Sequence, residues 1–256
     1  MDILCCFKIS PDYDKVVSAD WEAGKAPDTG YVPKGFGCYD EAALELSLRL
    51  RDEAAAAGDS ARITAATVGS EQYERFARAL FSVGFDRVVQ IKTEAGDFAP
   101  ETVSAALART FDDETFDAVL CGVQSTEGCG MTPFRLAKRL GLPCLSHVTD
   151  LHVSGRSLRV TRETARGELA ATVTAPVVYA VSNSRHPYLR MATVKKRLAV
   201  ADRRAEPFEL SVSKAEPLQA TGFHFETGGR HCVFIEGETC AEKAASLLRL
   251  CPEVHP

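Results

Sequence analysis

The chain has 256 residues, is 45% hydrophobic and carries a formal net charge of −5, enough to bury a sizeable core in one domain or in one domain with an appendage. This balance excludes a general affinity for nucleic acid, whose backbone attracts clustered cations; Lys195-Lys196-Arg197 is the one compact basic run. No stretch approaches the ~18 apolar residues of a membrane span.

The opening MDILCCFKIS is short and interrupted by Asp2 and Lys8, so Asp2 to Ile9 reads as a first strand and not as a signal peptide. Ser10-Pro11-Asp12-Tyr13 breaks it with turn chemistry. A loop then runs to about Gly37, because Gly24, Pro27, Gly30, Pro33 and Gly35 exclude a long regular element. Asp40 to Ala57 is a helix with Tyr39, Ala42, Ala43, Leu46 and Leu50 on its apolar face, ended by Gly58. Ala61 to Val68 is a second strand, and Gly69-Ser70 offers a cap to a helix carrying Tyr73, Phe76, Ala77 and Leu80, stopped by Gly84. Asp86 to Ile91 is a third strand and Pro100 to Phe111 a third helix, with Val103, Leu107 and Thr110 inward.

The stretch FDAVLCGVQSTEGCGMTPFRLAKRLGLP, from Phe116 to Pro143, organises the chain. It runs from a buried strand, Phe116 to Cys121, through a small-residue loop into a helix with Phe134, Ala137 and Leu140 on one face. Successive βα units imply a parallel sheet, and the Gly122 to Gly130 loop then lies outside its carboxyl edge, where backbone N–H groups and a helix N-terminus can meet phosphate oxygens. It is neither a P-loop nor a Rossmann fingerprint, and an ordinary βα loop would look the same. After Pro143 the texture changes to a predicted antiparallel meander, Val148 to Val153, Leu158 to Glu163 and Glu168 to Val173, followed by a last buried strand, Val177 to Val181. From Asn183 onward, prolines and glycines punctuate a polar tract that reads as an arm, closed by a short strand (Cys232 to Ile235) and a helix (Thr239 to Cys251). Residues 1–183 are thus the expected core, and 184–256 a docking loop, extended arm and terminal helix that contact a partner.

No nucleophile, base and acid stand at a recognisable spacing, and the six histidines are scattered. The nine cysteines, at 5, 6, 38, 121, 129, 144, 232, 240 and 251, form no Cys-x-x-Cys pair, which removes the usual zinc and iron–sulfur spacings and predicts reduced thiols in a cytoplasmic protein, many of them packed as small hydrophobes. An independent hydrolase or transferase is not expected.

Several segments, in order and over nearly the whole chain, resemble the beta subunit of electron-transfer flavoprotein: CCFKISPDYDKV, GCYDEAALELSLRLR, FDAVLCGVQSTEG with its following helix and proline, RVTRETARGELAATVTAPVVYAVS and the Lys195-Lys196-Arg197 run. The tail HCVFIEGETCAEKAASLLRL is similar, more narrowly, to the Fix-type branch associated with anaerobic acyl-CoA reduction. The resemblance implies a three-layer α/β/α fold of adenine-nucleotide-binding type with a mainly parallel sheet, an antiparallel meander and an extended C-terminal arm. It implies an electron-carrier subunit without turnover of its own, paired with an alpha subunit that holds FAD, itself holding AMP or a second FAD, and serving an acyl-CoA dehydrogenase or reductase.

Carried over by motif, the resemblance places Cys6 on strand one, Gly37, Cys38, Tyr39 and Asp40 at the helix start, Val68 at the end of strand two, and Gln124, Ser125, Thr126, Glu127, Gly128, Cys129, Gly130, Met131 and Thr132 in the central loop, all around a nucleotide. Tyr13 matches the aromatic near the alpha subunit's flavin, and Leu189, within His186 to Met191, the apolar anchor of a loop that meets the dehydrogenase. The loop lacks the family's usual glutamine, and Gly37-Cys38 stands where Asn-Pro is common. The residues alone leave two alternatives: a stand-alone adenine-nucleotide sensor of similar α/β core, or a structural subunit with an empty pocket.

Overall fold

A computed structural model describes residues 1–17, 27–69, 73–93, 99–112, 114–125, 128–174, 176–209 and 232–250. The chain divides into two units, one comprising Met1–Ser18 and Asp28–Thr221, the other Ala19–Pro27 and Gly222–Pro256. Within the second unit, the described regular element is one helix (α6, Cys240–Leu250). Its start is pinned locally: the Glu242 N–H donates to Thr239 Oγ1 at 3.2 Å, and the Glu242 carboxylate accepts from the Glu238 N–H at 2.9 Å, two otherwise unmet groups satisfied reciprocally.

The first unit is built on a nine-stranded sheet. In chain order its strands are β1 (Asp2–Cys6), β4 (Arg62–Val68), β5 (Arg87–Lys92), β6 (Ala118–Gly122), β7 (Cys144–Ser154), β8 (Ser157–Thr164), β9 (Gly167–Val173), β10 (Val177–Val181) and β11 (Glu206–Glu209). They lie side by side as β11-β5-β4-β1-β6-β10-β7-β8-β9. Pairing is parallel from β11 to β7, and β8 and β9 extend the sheet antiparallel, as the meander predicts. A separate two-stranded sheet pairs β2 (Ile9–Pro11) with β3 (Lys34–Phe36).

The central strands are apolar throughout because both faces are covered. On one face Ile3, Cys5, Ile63, Ala65, Val88, Leu120 and Tyr179 pack with α1 (Cys38–Ala56) and α2 (Glu74–Val83). On the other, Leu4, Cys6, Ala66, Val89, Cys121 and Val178 pack with α3 (Pro100–Ala108) and α4 (Thr132–Leu140). This is the expected three-layer α/β/α arrangement. Among the described residues, no helix is long and apolar enough to cross a membrane.

The structure corrects the sequence reading in several places. The first strand ends at Cys6, and Ile9–Pro11 turns off to form the small sheet, where Pro11, lacking an N–H, sits at a strand end. Tyr73 is the residue before α2 and not part of it. Phe134 is 40% exposed; the buried face of α4 is Pro133, Leu136 and Ala137, a rotation that follows from packing on α3. Beyond Asn183 the described chain stays on the first unit to residue 209, by way of a short helix, α5 (Val194–Ala199), and β11, which adds parallel to β5. Ser70 and Cys251 lie outside the described residues.

Candidate functional site

Chain order runs outward from β1 to β4 and β5, then crosses to β6 on the other side of β1. A reversal of this kind leaves a crevice at the carboxyl ends of the strands. A cavity of about 290 Å³ occupies it. Its lining includes Cys6, Phe7 and Lys8 at the exit of β1, Thr67, Val68 and Gly69 at the exit of β4, Gln90 in β5 and Thr93 just past it, Cys121 to Ser125 at the exit of β6, and Gly128, Cys129, Gly130, Thr132 and Pro133 leading into α4; Val103 and Leu107 of α3 are also part of it.

Asp40 ties the strand exits together. It sits in the first turn of α1, 7% exposed, and its carboxylate accepts the Lys8 N–H at 2.9 Å and the Gly122 N–H at 3.0 Å. One side chain thus fixes the exit of β1, the start of α1 and the exit of β6. Glycine is required at 122, where a Cβ would lie 2.4 Å from Asp40 Oδ1 and 2.9 Å from the Asp40 backbone nitrogen. Gly130 has φ 70°, a left-handed turn that directs the chain into α4. The residue before α4, Met131, supplies no side-chain cap, and Pro133 stands in the first turn, so part of that turn's N–H set is left without an intrahelical partner.

The most buried polar residue of the lining is Gln90, 1% exposed. Its Nε2 donates to the Gly69 carbonyl at 2.8 Å, whereas its Oε1 is buried without a hydrogen-bond partner. A buried acceptor left unpaired costs roughly 1–3 kcal/mol, a cost that a donor on a bound heterocycle would offset if the amide turned toward the cavity that Gln90 lines. A hydrogen bond with Cys6 and burial push the Cys121 thiol well up from its ordinary value.

Of the residues expected around a nucleotide, the structure brings Cys6, Asp40, Val68, Gln124, Ser125, Gly128, Cys129, Gly130 and Thr132 to this cavity. Gly37, Cys38, Tyr39 and Met131 are not part of its lining, although Gly37 packs under the Asp40 carboxylate. Thr126 and Glu127 lie outside the described residues. Tyr13 is half-buried in a 3-10 turn, Tyr13–Lys15, away from the lining. Sequence reasoning missed Thr67, Gln90 and Thr93; the readable signal for Gln90 was a lone amide inside the otherwise apolar centre of RVVQIK.

Leu189 is elsewhere. It is half-buried against the core cluster that includes α1, and its N–H donates to Glu41 Oε1 at 3.1 Å. The next residue is held more firmly. Glu45, 5% exposed, accepts the Arg190 N–H at 3.0 Å, Nε at 3.0 and 3.1 Å and Nη2 at 2.8 Å, and Arg190 Nη1 also reaches Asp52. On either side of this clamp, Tyr188 and Met191 are 77% and 85% exposed.

The family model for the "Electron transfer flavoprotein domain" matches residues 32–205. The chain is 31% identical to YgcR of Escherichia coli (strain K12), which is named as an electron transfer flavoprotein subunit, over 96% of both chains. It is also similar to electron transfer flavoprotein subunit beta of Syntrophomonas wolfei, at 28% identity over 97% of this chain and 96% of the other, and of Bacillus subtilis, at 27% over 90% of both. With the cavity at the β1/β6 reversal, the α/β/α layering and this full-length likeness together, the chain belongs to the electron transfer flavoprotein family, among its beta subunits.

Proposed function

We propose that this chain pairs with an FAD-bearing alpha subunit as the non-catalytic half of a cytoplasmic electron carrier, and that it holds an adenine mononucleotide, AMP, in the cavity. When bound, FAD supplies the redox chemistry and AMP supplies none; the work of this chain is to bind, orient and dock.

The observation that carries the nucleotide reading is a cavity at the strand exits that carries both an apolar wall, Val103 and Leu107, and a buried amide, Gln90, whose Oε1 has no hydrogen-bond partner. An adenine offers an N–H donor and two apolar faces, which match these groups. The lining also includes Gly128, Gly130 and the start of α4, suited to an anionic phosphate. At about 290 Å³ the cavity falls at the small end of the roughly 300–1,000 Å³ of ligand sites, which favours a mononucleotide over a second FAD.

The docking segment is 186–191, offered to an acyl-CoA dehydrogenase or reductase. Leu189 seats the segment on the core, and Tyr188 and Met191 present its apolar area. The test is co-expression with the alpha subunit of the same operon or genome, then heat release and mass analysis of bound nucleotides. A 1:1 complex releasing both FAD and AMP is expected. FAD alone would leave a structural subunit, and a monomer that ignores the alpha subunit would leave the adenine-nucleotide sensor. Gln90→Leu should release AMP selectively, weakening it by roughly tenfold to a hundredfold, the equivalent of ~1–3 kcal/mol.

A further inference from the structure

We propose that Cys6 and Cys121 form a redox-active thiol pair on the floor of the cavity, closed to a disulfide by a small disulfide oxidant when the cavity is empty and shielded when a nucleotide fills it. The shielding clause rests on the nucleotide reading above; the pairing of the thiols does not.

The geometry comes from the sheet. Cys6 and Cys121 are register partners on adjacent parallel strands, β1 and β6. Partners of this kind project from the same face, with strands ~4.8 Å apart, inside the ~4.4–6.8 Å Cα separation that disulfides span. Both belong to the same apolar cluster, both line the cavity, and they are 5% and 4% exposed. Both are free thiols. Competing partners within the sheet are excluded. Cys5 points to the opposite face. Cys144 lies on β7, separated from β6 by β10, which is about 10 Å by strand spacing and beyond disulfide reach.

The chemistry balances without charge. One protein thiol, as its thiolate, attacks a sulfur of the oxidant R–S–S–R and expels one RSH after proton uptake. The second thiolate attacks the protein sulfur of that mixed disulfide and expels the second RSH. Two cysteine thiols are oxidised, one oxidant disulfide is reduced, and both cysteine protons leave on the two RSH molecules. Thiol pair and disulfide are both neutral beside the Asp40 carboxylate, whereas a lasting thiolate or a metal dithiolate would place negative charge there. The neighbouring Cys6 thiol and burial disfavour the thiolate of Cys121, so reaction is slow and governed by entry of the oxidant through the cavity. A ligand in the cavity blocks that entry. In turn, the disulfide shortens the sulfur–sulfur distance next to Gly122 and reshapes the floor, so by linkage oxidation and nucleotide binding oppose each other.

The experiment uses the full-length protein, stripped of nucleotide, exposed to 2-hydroxyethyl disulfide and mapped by differential alkylation and non-reducing peptide mass spectrometry. A Cys6–Cys121 linked peptide is expected. Cys121 should lose its intramolecular partner, and that peptide should disappear, in Cys6→Ser. Saturating AMP should slow the linkage at least tenfold, and the oxidised protein should bind AMP at least tenfold more weakly by calorimetry. The pair is refuted if both thiols stay reduced in the empty protein, or if Cys121 joins Cys129 or another cysteine instead. If calorimetry shows no AMP binding to the reduced protein, the nucleotide reading and the shielding fail together while the linked peptide still decides the pair. If AMP binds and the linkage rate does not change, the shielding alone is wrong.

Discussion

Replacing Arg190 with methionine keeps most of the side chain's apolar stem and deletes the guanidinium that clamps segment 189–190 to α1. Glu45 would remain 95% covered in the folded chain, with the backbone N–H of residue 190 at 3.0 Å and Arg49 at 3.9 Å as its remaining partners. Breaking a fully buried ion pair costs ~3–5 kcal/mol. The Arg190 side chain is 33% exposed, so solvent screens part of the interaction and ~2–3 kcal/mol is expected. At 2–4 °C per kcal/mol for a chain of this size, the melting temperature should fall by roughly 4–12 °C. Glu45→Leu combined with Arg190→Met removes both charges and should recover stability to within ~1 kcal/mol of the parent. Thermal and urea unfolding of the two single variants and the double variant give the coupling. Hydrogen exchange supplies a local readout, because the amides of residues 189 and 190 donate to Glu41 and Glu45 and should lose protection before the sheet does. An unchanged melting temperature in Arg190→Met, or a double variant no better than the singles, would refute the clamp.

Three further outcomes follow from the geometry. Gly122→Ala drives a Cβ to 2.4 Å from Asp40 Oδ1, so the start of α1 must shift; a loss of ~1–3 kcal/mol by urea unfolding is expected, with weaker nucleotide retention, and a wild-type profile in both would show that the contact relaxes freely. His152 is raised above 6.5, first by its 2.8 Å hydrogen bond to Glu53 and also by Asp150. A raised folded value means that its stabilisation is fully present below pH 6.5 and lost as pH rises through the folded value; His152→Ala should therefore destabilise by less than ~1 kcal/mol at pH 5.5, given that the side chain is 46% exposed, and by nothing measurable at pH 9. In the docking segment, Tyr188→Ala and Met191→Ala should slow electron transfer to the acyl-CoA partner without changing the melting temperature, whereas Leu189→Ala should lower the melting temperature; the reverse pattern would make Leu189 the contact residue.

Four strands of the sheet, β4, β5, β6 and β10, were legible to within two residues because strands covered on both faces read as largely apolar runs, as in Val177–Val181, whereas β1 ends at Cys6, three residues earlier than read. What remained hidden was set by neighbours distant in sequence. Nothing in Glu206-Pro207-Phe208-Glu209 announces a strand; it becomes one because β5 offers a free edge, Glu206 meets Arg87 at 2.6 Å and the Arg203 guanidinium lies 4.0 Å from the Phe81 ring centroid. The face of α4 was misjudged for a similar reason, since Phe134 has the right chemistry for a core and the packing partner chose Leu136. At the site, the loop residues were legible from their position after β6, whereas Gln90 and Thr67 matter only because two other strands end beside them.

The place of β11 at the sheet edge bears on how the protein is made. Until residue 209 has left the ribosome, β5 presents Val88, Val89 and Ile91 on an open parallel edge while the strands inside it, β4, β1 and β6, are already available to pair. An apolar strand with unpaired N–H and C=O groups is an aggregation hazard, and here the exposure lasts for more than a hundred further residues of synthesis, the interval between Lys92 and Glu206. Nascent chains from which residue 209 has not yet emerged should accordingly be the ones that engage chaperones and form insoluble material, and a truncation just before Glu206 should behave as such a chain permanently.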